Sequence, residues 1–129
     1  MYVRFVVADR DEDSGKRQGV FQAVIDLKDS GELLDYEEEQ LRELLDWFNA
    51  NLKEPISLRR HANKFHTVPK AISWFKDGAT QHLSRMRELI SILEEHNIAV
   101  DMIQTEKPGY IVYEDPYQIA AEAFKDTGA

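Results

Sequence analysis

The densest run of chemistry-bearing side chains is "SLRRHANKFHTVPKAISWFK", residues 57–76. Arg59, Arg60, Lys64, Lys70 and Lys76 stand there with His61 and His66 and with no Asp or Glu. Residues 53–76 hold six Lys/Arg against one acid, Glu54, for a net of +5, while the whole chain of 129 residues carries −8. The rest of the sequence therefore nets −13. Guanidinium and ammonium groups donate strong hydrogen bonds to carboxylates and phosphates. Phe65, Trp74 and Phe75 interleave flat rings with these cations. Cations plus exposed rings suit single-stranded nucleic acid, whereas cations alone suit an acidic protein surface or a phosphorylated or carboxylated small molecule. The structural alternative buries the rings as core and pairs the bases with the chain's own acidic stretch, Glu37 to Glu43.

Histidine offers proton transfer and metal ligation. His61 and His66 are five residues apart, off the shared face that i and i+4 positions occupy on a helix, so no HExxH zinc pair forms. No metal or other cofactor is expected. Either histidine could act as a general acid or base, but no nucleophile-elbow motif surrounds Ser57, Thr67 or Ser73, and no orienting acid is indicated. No catalytic residue is assigned. His96 falls near the end of a helix, where the dipole favours a cation, which is a structural role.

Two loops near the N-terminus imitate ion sites. Asp9, Asp11 and Asp13 alternate as in calcium loops, yet an EF-hand starting at Asp9 needs Gly at 14 and an acid at 20, where Ser14 and Val20 stand. "SGKRQG", residues 14–19, lies between a strand and a helix like a phosphate cradle, but it lacks GxxxxGK[ST] and GxGxxG. A solvated loop and a plain helix start are the expectations, with Arg17 as able to pair with a nearby Asp or Glu as to meet an anion.

These residues must be positioned by conventional elements. "YVRFVVA", residues 2–8, reads as a strand. Val20, Phe21, Val24 and Ile25 recur at helical spacing, and Ser30-Gly31 is the stop. Asp35 with Glu38 resembles a capping box, followed by a stripe of Leu41, Leu44, Leu45, Phe48 and Leu52. Trp47 lies off that stripe. A third helix starts at a capping Asp77 and runs through Leu83, Met86, Leu89, Ile90, Ile92 and Leu93 to a left-handed Asn97. Residues 99–106 and 110–114 flank "KPG" and read as a hairpin. Residues 116–124 fit a helix or a strand equally.

The expected fold class is α+β: a small antiparallel or mixed sheet with three main helices packed on one face, as one domain over residues 1–129. No cysteine is present, which excludes disulfides and thiolate chemistry. No apolar run has the length of a signal core or of a membrane span. A cytoplasmic protein without membrane association is expected. The acidic total disfavours nucleic acid. The sequence reading is a non-catalytic binding or regulatory module. Arg59, Arg60, His61, Lys64, His66, Lys70, Trp74 and Lys76 would contact an anionic partner, whether an acidic protein, a second copy of this chain or nucleic acid. The alternative is a small enzyme using a His general acid/base on an anionic substrate.

Overall fold

Alternation sets the first strand, β1, Tyr2–Arg10. Val3, Phe5 and Val7 point to one face and are buried in the main core, while Tyr2 and Arg4 point to the other. The computed structural model describes residues 1–10, 17–53 and 71–122, and the account below concerns those. After β1 come β2 (Arg17–Gly19), α1 (Val20–Asp29), α2 (Asp35–Asn51), β3 (Ala71–Lys76), α3 (Thr80–Glu95), β4 (Asp101–Thr105), β5 (Tyr110–Glu114) and β6 (Gln118–Glu122). The described strands form one six-stranded antiparallel sheet. The three described helices pack through a single core with Val3, Phe5, Val7 and Phe75 of the sheet, so the α+β expectation holds.

The helices form where apolar periodicity and end signals agree. Val20, Ala23, Val24 and Leu27 are the buried stripe of α1; Ile25 is 40% exposed. Gly31, with φ of 77°, supplies the left-handed turn that ends it. On α2, Leu41, Leu44 and Phe48 are buried as expected. Its start lies one residue earlier than Asp35 and Glu38 suggest. The N-cap is Leu34, and Glu37 rather than Glu38 reaches back to the Leu34 N–H, at 3.0 Å. Helix α3 is capped by Ala79, not Asp77, which instead meets the N-terminal amine at 3.7 Å. Its far end is a full Schellman motif: Asn97 has φ of 65°, its N–H bonds the Glu94 carbonyl, and the Ile98 N–H bonds that of Leu93.

The expected hairpin between residues 99–106 and 110–114 does not form. Strand β4 pairs with β1 through Tyr2↔Thr105 to Val6↔Asp101, whereas β5 pairs with β6. The four-residue "EKPG" link thus joins the two outer strands of the series β4-β1-β3-β6-β5. Four spacings in a flat sheet total about 19 Å. The five steps from Thr105 to Tyr110 reach at most about 18 Å. The sheet must therefore curl, and a register shift between Ile111 and Tyr113 of β5 adds a local bend. On the face away from the helices, Ile72, Trp74, Ile119 and Ala121 form a second small cluster, with Tyr2 and Ile103 packed against it.

One strand edge is shared. Because β4 covers one side of β1 from Tyr2 to Val6, β3 and β2 must divide the other side. Strand β3 pairs at Tyr2 and Val3, and β2 pairs at Val6 and Arg10. Between them the sheet splits. The Arg4 guanidinium bridges the split, donating to the Arg17 carbonyl at 2.7 Å and to the Ser73 carbonyl at 3.4 Å.

Candidate functional site

The basic stretch is held at both ends by ordered elements. It leaves α2 through Leu52 and Lys53 and rejoins the sheet at Ala71. The buried Gln118 side chain donates to the Lys53 carbonyl, tying the exit to β6. At the return, Ala71 pairs with Glu122 and Ile72 with Ala121, also on β6. Both attachment points therefore sit against one strand. Arg59, Arg60, His61, Lys64, His66 and Lys70 lie outside the described residues, as does the acidic loop at 11–16.

Two members of the sequence-derived set are described, and neither presents a free group to solvent. Trp74 is 1% exposed in the second cluster, and its indole Nε1 has no hydrogen-bond acceptor among the described residues. Strand alternation explains this: Ile72 and Trp74 share the face turned from the helices, while Phe75 joins the main core. An exposed aromatic anchor was the expectation, and a buried ring is what β3 delivers. Lys76 is half-buried and its Nζ lies 2.6 Å from Glu114 of β5. Its internal partner is thus a strand acid, not the acidic helix.

The described histidines hold helices together. His82 is buried on α3, and its Nε2 donates to the Asn51 carbonyl at 2.8 Å, satisfying one of the open carbonyls that end α2. Tyr117 stacks on its ring at 4.4 Å, and Trp47 meets it edge-on at 4.9 Å. Trp47 in turn carries the Arg85 guanidinium 4.9 Å above its ring, so this off-stripe tryptophan packs against α3. His96, the residue that ends α3, places Nε2 3.0 Å from both Glu37 carboxylate oxygens. Glu37 sits in the first turn of α2 and is 2% exposed. The Leu34 N–H holds its carboxyl below the ordinary 4.5, with His96 assisting and burial opposing. The dipoles of the two helices favour this pairing, an anion at one N-terminus and an imidazole at the other C-terminus.

A second carboxylate organises the β5–β6 turn. Asp115 accepts the backbone N–H groups of Tyr117 and Gln118, the Tyr113 hydroxyl at 2.8 Å and the Gln118 side-chain amide. Burial pushes its pKa up, but these donors together outweigh that and leave it below the ordinary 3.8. The Tyr113 phenol is pushed up, by burial and then by Asp115. This is an Asx turn, and pairing with both β3 and β5 makes residues 118–122 a strand. Arg17 meets Asp101 of β4 at 2.6 Å and also donates to the Val7 carbonyl, so it too has a structural partner.

Among the described residues no cluster of three or more His, Asp or Glu side chains converges as a metal site, and no helix is long and apolar enough to cross a membrane. Sequence reasoning missed the roles of His82, Gln118 and Asp115, since each bonds a group that only the tertiary fold or a tight turn brings near. No family model, no curated protein and no solved structure matches this chain.

Proposed function

We propose that the protein is a non-catalytic binding module whose basic stretch, with Arg59, Arg60, His61, Lys64, His66 and Lys70, engages an acidic protein surface. The observation that carries the reading is the charge contrast, +5 over residues 53–76 against −13 elsewhere. Lys76 is the member of the stretch whose internal partner is described, Glu114 of β5. Salt screens the global repulsion beyond roughly 8–10 Å, so a local cationic patch can act despite the acidic whole. Nucleic acid is disfavoured by that same whole.

Fluorescence anisotropy with a labelled oligoglutamate peptide and a labelled oligouridine RNA tests this. The peptide should bind at low salt and weaken steadily as salt rises. RNA binding tighter than peptide binding, with a log–log salt slope of about one per phosphate contact, would replace the proposal with a nucleic-acid function. Binding of neither probe would refute it.

The second reading is a self-complementary one. Asp35, Glu38, Glu39, Glu43 and Asp46 are exposed along α2 without an ion pair among the described residues. They make a second copy one suitable acidic surface. Sedimentation at low salt should then show reversible association that high salt abolishes; a monomer under both conditions removes this branch. The competing class, an enzyme with His61 or His66 as general acid/base, predicts that double replacement of these histidines by Gln abolishes a turnover. The binding reading predicts no turnover to lose and a peptide affinity weakened less than by Arg59→Glu/Arg60→Glu.

A further inference from the structure

The split in the sheet opens into a cavity of about 420 Å³ between β1, β3, α1 and α2. Its volume falls in the range of small-molecule sites, roughly 300–1,000 Å³. The walls are mainly apolar and aromatic, with Phe5, Phe21, Phe48, Phe75 and Met86 contributing. Phe21 and Phe48 meet edge-to-face at 5.0 Å and fix one wall. The cavity is open to solvent, with the exposed Ile25 and Lys53 in its lining.

The charge in its lining says what an occupant would carry. The charged residues in the described lining are Arg4 and Lys53, both cationic, with no carboxylate among them. In a chain with 24 Asp and Glu, that sign is informative. Lys53 is exposed, which places its charge toward the mouth.

We infer that this cavity binds a small amphipathic anion, its apolar body among the phenylalanines and its acidic head toward Lys53 and Arg4. The described lining takes Lys53, Ser73, Trp74 and Phe75 from the two ends of the basic segment.

Titration calorimetry and thermal shift with decanoate and with 1-naphthoate test the inference, the two probes distinguishing a flexible chain from a flat ring. At least one should bind saturably with one site per chain and raise the melting temperature. Decan-1-ol, with the same chain and no charge, should bind more weakly than decanoate. Lys53→Glu, at an exposed position, should erase the preference for the anion. Ile25→Trp, entering from a partly exposed wall residue, should fill the space and abolish binding. Arg59→Glu/Arg60→Glu should leave it unchanged. No saturable binding of either anion to the wild type would overturn the site. So would binding that survives Ile25→Trp, or an anion preference that survives Lys53→Glu.

Discussion

At the scale of single residues, the titratable groups described here hold helix ends and turns. His82 gives the cleanest test. Replacing it with Leu leaves the Asn51 carbonyl without its donor in a buried setting, which should cost about 1–3 kcal/mol in denaturant unfolding. Acid sensitivity follows from Glu37 and Asp115. Both folded-state pKa values lie below the ordinary ones, so the stability they confer is complete above about pH 4.5 and is lost as pH falls through the folded values. Urea midpoints measured from pH 6 down to 3 should therefore fall, and Glu37→Gln should make that fall shallower. An unchanged acid limb in the variant would contradict the role given to the Leu34 and His96 contacts. Sequence could suggest His96 as a helix-end residue because dipole and position are local facts. It could not suggest His82, whose partner lies 31 residues away in another helix.

At the scale of elements, local signals were legible and long-range pairing was not. Gly31 and Asn97 ended α1 and α3 where their tolerance of positive φ said they would. Asn97→Gly should accordingly be close to neutral, while Asn97→Val should cost about 1–2 kcal/mol by forcing a branched side chain into the left-handed region. Leu89, fully buried on α3, should cost about 2–5 kcal/mol when cut to Ala. The hairpin expected across "KPG" failed for a physical reason. Turn residues specify that the chain bends, not which strand the next one will meet, and here Val6↔Asp101 and Ile111↔Ala121 won. Trp74 was misjudged because the apolar run "AISWF" has no alternation from which to read two buried faces. The capping shift from Glu38 to Glu37 is a one-residue error that only cap geometry resolves.

At the scale of the whole molecule, the defining property is separation of charge. An acidic α+β body carries one cationic stretch whose attachment points, Lys53 and Ala71, are both fastened to β6. That attachment gives the stretch a fixed origin on the fold, and in the proposed function recognition falls to its side-chain charge. The measurement that bears most directly on this account compares oligoglutamate affinity for the wild type and for Arg59→Glu/Arg60→Glu across a salt series. Loss of at least tenfold in affinity at low salt, with a flattened salt dependence and an unaltered melting curve, is the predicted result. Equal affinity of the two proteins at every salt concentration would contradict it.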